Sequence, residues 1–305
     1  MSAELEPDLC VVGGGPGGLT VAFGAAAAGK SVILIEKGAL GGRRLSEGLP
    51  RQALLAAARA ADSVRGAVQF GIEVQALPVN FAHLRQQIAT AVAAVAPNYS
   101  IARAEAMNVK VIRAVGRFAG PGTCEAGGEI IKARQFVIAT GAAPKRLSLP
   151  GIDTVRPLDS ATLCGLDRLP ERLVVLGADP EGLALAQAFR RLGSEVAILT
   201  GEKLFPSEDE ELVAPVRAAF ARDGIAIYEN VRIARIEPRG TGARIILGPG
   251  GEGVPVVGSH LLVAAGYSPA VEGLGLTAAG VRYGESGIET NMRLVTSNGR
   301  IFAIG

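Results

Sequence analysis

The chain has 305 residues, room for about two domains of roughly 150 residues each, and 31 Lys and Arg against 29 Asp and Glu leave a net charge of +2. That balance lacks the basic footprint of a nucleic-acid binder. Three scattered cysteines (Cys10, Cys124, Cys164) lack the spacing of a zinc site or a disulfide framework, and neither the acidic start nor any apolar run has the form of a signal peptide or a membrane span.

These exclusions predict a soluble, cytoplasmic protein with no metal site, no nucleic-acid partner and a small-molecule substrate. The 41 glycines, about twice the ordinary share, are the positive signal. Residues 9–12 (LCVV) form a short apolar run that predicts a buried parallel strand. Gly13-Gly14-Gly15-Pro16-Gly17-Gly18 follows, then a helix through about residue 28, stopped by Gly29. Residues 31–35 predict a second strand that ends at Glu36. A strand, helix and strand within about thirty residues is the βαβ unit.

Further on, 52–68 and 81–95 predict helices, and 109–115, 129–131 and 135–139 predict strands. Cys124 and Cys164 fall between these elements, in expected loops. Residues 144–157 hold three prolines and predict a linker. A second βαβ pattern then begins: strand 172–176, turn 177–182, helix 183–192 and strand 195–199. Helix 213–222 and strands 225–228, 231–236 and 261–265 complete that half, and 301–304 is again strand-like.

Gly13-x-Gly15-x-x-Gly18 fits the dinucleotide fingerprint. The first glycine makes the tight turn, the second admits the pyrophosphate, and the third lets helix and strand pack closely. The helix start offers unpaired N–H groups and partial positive charge to that phosphate. Glu36 stands 18 residues after Gly18, where a carboxylate binds an adenosine ribose. Ribose hydroxyls rather than a 2′-phosphate suit FAD or NAD.

Gly13 to Gly18, Glu36-Lys37, Leu40-Gly41-Gly42, the run Ala139-Thr140-Gly141-Ala142-Ala143-Pro144 and the second glycine unit together resemble the pyridine nucleotide-disulfide oxidoreductases, such as dihydrolipoamide dehydrogenase and mercuric reductase. The resemblance runs from Cys10 to Gly305. It implies an α/β fold of two Rossmann-like dinucleotide-binding domains, with the NAD(P)-type domain inserted in the FAD-type domain. The expected division is 1–155 for the first FAD-binding segment, 156–260 for the NAD(P)-type domain and 261–305 for the return of the FAD-binding domain. It further implies that Gly13, Gly15, Pro16, Gly17, Gly18, Glu36, Lys37, Gly42, Arg43, Arg44, Gly116, Ala139, Thr140 and Gly141 surround FAD. Gly177 and Gly182 are the corresponding glycines of the NAD(P)-type loop.

The chain departs from the family at four places. Where the family carries its two redox cysteines, this sequence has Arg44 and Leu49, with one residue fewer before Pro50. Thiol–disulfide exchange needs sulfur at both positions, so that chemistry is expected to be absent there. The second loop reads Gly177-Ala178-Asp179-Pro180-Glu181-Gly182; a carboxylate replaces the central glycine, which disfavours NAD(P)H while leaving it open as a second cofactor. The family's Lys–Glu pair beside the flavin falls on Gln52 and Ala184, so the pair is expected to be lost on both sides, and the family's arginine after Gly266 is replaced by Tyr267. The sequence also stops at Gly305, before the family's dimerisation domain with its catalytic histidine, and the oligomeric state is left open. His83 and His260 lack motif partners.

No residue is assigned a catalytic role and no substrate is named. Two functions follow: an FAD-dependent oxidoreductase without disulfide chemistry, or a non-catalytic relative that keeps the scaffold alone.

Overall fold

A computed structural model describes residues 4–74, 78–248 and 255–305; part of the acidic start, residues 1–3, lies outside them. The chain divides into two compact units. One comprises Met1–Ser46, Val92–Ala143 and Tyr267–Gly305, the other Glu47–Ala91 and Pro144–Gly266. By compactness, 47–91 groups with the second unit rather than with the residues that precede it.

The first unit is built on a five-stranded parallel sheet in the order Ile301–Ala303, Gln135–Ile138, Leu9–Val12, Val32–Ile35, Val109–Ile112. Its central strands are apolar along their length because both faces are covered. Cys10, Ile33, Phe136 and Ile301 pack into one core, and Val11, Leu34 and Val137 into the other. Helix Pro16–Ala27 covers the second face through Leu19 and Ala22, and Pro16 at its first turn pre-sets the helical φ. A second sheet aligns Glu4–Leu5, Glu129–Ile131, Thr123–Ala126 and Arg117–Gly120.

The second unit repeats the plan. Its parallel sheet runs Ala226–Tyr228, Glu195–Leu199, Arg172–Leu176, His260–Val263. Helix Pro180–Leu192 lies against it with Leu185, Ala186, Phe189 and Leu192 buried. Helix Leu49–Gly66 packs on Pro180–Leu192 and buries Leu54, Ala58 and Ala61, an i, i+4, i+7 stripe. Three antiparallel strands, Ile233–Arg239, Gly242–Leu247 and Val256–Gly258, form a separate ribbon.

Several expectations need correction. Cys124 lies in strand Thr123–Ala126, where alternation turns it inward, and Cys164 ends the short helix Ser160–Cys164; both are buried rather than in loops. The second-unit helix starts at Pro180, three residues before the expected 183, because Asp179 caps it. Helix Leu49–Gly66 is preceded by a π-turn, Arg44–Gly48, and also starts three residues early. Strands Arg117–Gly120 and Gly242–Leu247 and helix Ile101–Ala106 were not expected. Among the described residues, no helix is long and apolar enough to cross a membrane.

Candidate dinucleotide sites

In the first unit the chain leaves strand Leu9–Val12 and turns at Gly13 with φ 113°. A Cβ on Gly13 would strike the carbonyl of Ala139, the residue that continues the neighbouring strand. A Cβ on Gly18 would overlap the carbonyl oxygen of Gly13. Both glycines are therefore required by the closeness of strand and helix. Gly15 is different: a Cβ there meets no described atom within 4 Å. It faces open space, where a ligand's backbone approach would be made. It is also the N-cap of helix Pro16–Ala27, and no described side chain caps that helix. The N-terminal amides beyond Pro16 thus remain directed at the same space.

Glu36 is tethered at the end of strand Val32–Ile35. Its Oε2 accepts from Gly14 N at 2.6 Å and its Oε1 from Gly38 N at 2.7 Å. The two bonds aim the carboxylate at the glycine loop and leave each oxygen a lone pair for a donor hydroxyl. A cavity of about 280 Å³ opens beside it, lined by Glu36, Leu40, Tyr99, Ile101, Val111 and Arg113. Gly42, with φ 46°, brings the 40–44 turn against Gly15; its Cβ position lies 3.5 Å from the Gly15 Cα. Gly116 packs on Val12 and Ile35 at the ends of two strands. Ala139 N bonds Val12 O at 2.7 Å, Thr140 Oγ1 donates to Ala270 O at 2.9 Å, and Gly141 turns with φ 71°. Ile304 packs at 3.2 Å over the Gly17 Cβ position. The loop, Glu36, Gly42, Gly116 and 139–141 therefore share one end of the parallel sheet. Lys37 is exposed there, with no contact to the loop among the described ones.

The model of the pyridine nucleotide-disulphide oxidoreductase family matches residues 7–305. The chain belongs to that family. It is 34% identical over its whole length to a mercuric reductase of Streptomyces lividans and 32% identical, over 97% of the chain, to a dihydrolipoyl dehydrogenase of Bacillus subtilis; it spans 66% of the length of each. Among solved structures, the HOCl-induced flavoprotein disulfide reductase RclA of Escherichia coli matches 98% of the chain and 65% of its own length, at 26% identity and a TM-score of 0.85.

The second loop repeats the turn of the first and differs from it at the central position. Gly177 turns with φ 99°, and its Cβ would strike the Ala264 carbonyl; a Cβ on Gly182 would strike the Ala264 side chain. At the central position, the Asp179 carboxylate accepts from Glu181 N at 3.0 Å and Gly182 N at 3.2 Å. At the end of strand Glu195–Leu199, the place of Glu36 is taken by Thr200, which is buried and accepts from Glu202 N at 3.3 Å.

The family's charge-pair positions hold no pair, and a different ion pair joins the same two helices. Gln52 is exposed and Ala184 is uncharged, but Arg51 Nη1 is enclosed and meets a Glu181 carboxylate oxygen as an ion pair outside hydrogen-bond geometry. Helices Leu49–Gly66 and Pro180–Leu192 are still joined by charge, near their N-terminal ends. Arg44 starts the π-turn, its N bonding Gly41 O at 3.1 Å, and the Arg43 guanidinium carbon lies 3.5 Å from the Tyr267 ring centroid. The residue that replaces the family's arginine is thus a cation–π platform for another arginine.

None of the cysteines is a ready nucleophile. Burial pushes the Cys10 thiol well above its usual range and Cys124 up to about 11. Burial raises Cys164 to about 12, with Arg51 pulling the other way and Glu47 and Asp159 adding to the rise. His83 is exposed on helix Phe81–Val95. His260 sits partly buried in a strand, and burial lowers its pKa. Neither lies in the first glycine loop. The Asp179 cap is the functional feature easiest to miss. An Asp-Pro-Glu run is itself a helix-start signal, and reading it so places the carboxylate on the amides.

Proposed function

We propose that this chain is the flavin-binding part of an oxidoreductase, with FAD held in the first unit and no disulfide in its electron path. The observation that carries the reading is the contrast at Gly15. Space, uncapped amides and a tethered Glu36 carboxylate converge there, and each fits a different part of an adenine dinucleotide. The N-terminal amides of helix Pro16–Ala27 fit the pyrophosphate. Glu36 fits the adenosine ribose hydroxyls, and the adjoining cavity is of a size for the adenine. Gly42, Arg43, Arg44, Gly116 and Ala139 to Gly141 are the residues that the family places around the remainder of FAD.

When bound, FAD supplies the electron-transfer chemistry, and the protein supplies binding, orientation and charge. Arg43 lies over the Tyr267 ring, its guanidinium carbon 3.5 Å from the centroid, and brings a positive charge to that part of the first unit. Such a charge favours an anionic flavin or an acidic substrate. Thiol exchange is outside the reading: Arg44 and Leu49 hold the thiol positions, and all three cysteines are buried.

The test is the visible absorption of the purified protein and the thermal shift on adding FAD. Flavin bands, or a ligand-dependent rise in Tm, are expected, together with no turnover of lipoamide or glutathione disulfide. Absence of both bands and shift refutes FAD binding. Robust disulfide turnover refutes the thiol-free electron path.

A further inference from the structure

We infer that Asp179 closes the second glycine loop to dinucleotides by occupying its helix-start amides with its own side-chain oxygen, and that the loop around it is otherwise shaped to take one. The two units supply an internal control, because three backbone bonds recur at matching positions of their loops. Gly13 N bonds Ile35 O at 2.8 Å, and Gly177 N bonds Leu199 O at 2.8 Å. Ala139 N bonds Val12 O at 2.7 Å, and Ala264 N bonds Leu176 O at 2.7 Å. Leu19 N bonds Gly15 O at 2.9 Å, and Leu183 N bonds Asp179 O at 2.9 Å. Both helices begin with proline, Pro16 and Pro180, directly after the central loop residue.

That shared proline sharpens the consequence. Proline carries no N–H, so the first donors facing outward are those of the next two residues. In the first unit these are Gly17 and Gly18, below a Gly15 with open space beyond it. In the second unit they are Glu181 and Gly182, and the Asp179 carboxylate accepts from both. An incoming pyrophosphate would have to displace a covalently attached anion from the donors it needs. It would also meet the Glu181 carboxylate in the same helical turn, held by Arg51.

The first and third glycines do not bear on this question. Gly177 and Gly182 stay because a Cβ at either would strike Ala264, which holds with or without a ligand. The central position alone reports on occupancy, and it is the one that changed. The buried Thr200 in place of a ribose-binding acid agrees with it.

The experiment is nucleotide titration of the wild type, Asp179→Gly and Asp179→Asn, followed by thermal shift and NADH fluorescence. Glycine is tolerated at an N-cap, and the Asp179 backbone, φ −66° and ψ 147°, needs no rearrangement for it. The wild type is expected to show no saturable binding of NADH or NADPH at micromolar concentration, and Asp179→Gly to bind NADH at least about tenfold more tightly. Asp179→Asn keeps an oxygen on both amides without the charge; it is expected to stay near the wild type, so that occupancy rather than repulsion closes the loop. With FAD saturating to fill the first loop, inorganic pyrophosphate, as a probe without the nucleoside, should stabilise Asp179→Gly and not the wild type. Micromolar NADH or NADPH binding by the wild type overturns the inference, as does Asp179→Gly binding no better than the wild type. Asn matching Gly overturns the occupancy mechanism. Each titration is repeated with FAD saturating, so that a nucleotide response that persists reads the second unit, while the shift on FAD alone tests the FAD reading separately.

Discussion

Gly18→Ala and Gly15→Ala, three residues apart in one loop, should fail in opposite ways. At Gly18 the added Cβ overlaps the Gly13 carbonyl oxygen by more than about 1 Å, and its other near neighbours are the Gly13 carbonyl carbon at 3.1 Å and the Ala139 side chain at 3.3 Å. Helix Pro16–Ala27 must move off the sheet to admit it. Overpacking of this kind costs about 1–3 kcal/mol; with rigid backbone rather than a flexible side chain in the way, about 3 kcal/mol is expected. At about 2–4 °C per kcal/mol for a domain of this size, the Tm of flavin-free protein should fall by about 6–12 °C. At Gly15 the added Cβ meets no described atom, and φ is −71°, so flavin-free protein should melt within about 2 °C of the wild type. Flavin affinity should nevertheless drop, because the methyl group stands where the pyrophosphate approaches. The assay is a pair of melts, without FAD and with FAD at about 100 times the wild-type Kd, where binding should add about 2.7 kcal/mol to the wild type. Gly15→Ala should lose most of that increment while keeping its flavin-free Tm. Equal destabilisation of the two flavin-free variants, or full FAD stabilisation of Gly15→Ala, would refute the division of roles within the loop.

The buried thiols should be silent in the native state: at pH 8 a group with pKa about 11 is about one-thousandth thiolate, so a disulfide reagent should label native protein slowly and three thiols after denaturation. Fast labelling of even one native thiol would contradict the burial. Because the folded-state values of Cys124 and Cys164 stand above the ordinary thiol value, the unfolded chain ionises first as pH rises. Their contribution is complete below about pH 8.5 and is lost progressively toward about pH 12; Cys164→Ala should flatten that decline in urea melts. The Arg51–Glu181 ion pair is partly exposed, with 20% and 33% of its side chains accessible, so a double-mutant cycle through Arg51→Met and Glu181→Gln should give a coupling of about 1 kcal/mol. A coupling indistinguishable from zero would leave the pair without a role in joining the helices.

The parts of the fold legible in sequence are those where both faces of a strand are buried or where glycine is sterically compelled. Leu9–Val12, Gln135–Ile138 and Arg172–Leu176 read as largely apolar runs because both faces are covered, one of them by antiparallel strands. Gly13, Gly18, Gly177 and Gly182 read as loop glycines because a Cβ at each would strike backbone or a packed side chain. Strand Arg117–Gly120 was not legible, since a four-residue half-buried strand between turns has too few positions to show a period. The tether of Glu36 to Gly14 and Gly38 was not legible either; sequence placed the acid at the strand end, while the two amides that aim it come from turns on either side. Arg43 was expected near the flavin, but its stacking on Tyr267, more than two hundred residues away in sequence, depends on how the first unit folds back on itself.

The charge pair shows a limit of reading by matched positions. With Pro50 as the fixed point, the family's lysine and glutamate fall on Gln52 and Ala184, and neither is charged. On a helix, however, what two packed elements require is charge at facing surfaces, and those surfaces are shared by residues three or four apart. Glu181 precedes Ala184 by three and so lies on the same face of helix Pro180–Leu192, one turn nearer its N-terminus. Arg51 is the immediate neighbour of Gln52, and its long side chain covers the offset that one residue makes around the helix. Burying one of these charges without the other would be unfavourable, whereas losing or keeping both is tolerated; Arg51 and Glu181 keep both. The Arg51–Glu181 pair also has a different neighbour, because one turn toward the helix start brings the glutamate beside Asp179. The Arg51–Glu181 pair and the Asp179 cap thus share the first turn of helix Pro180–Leu192.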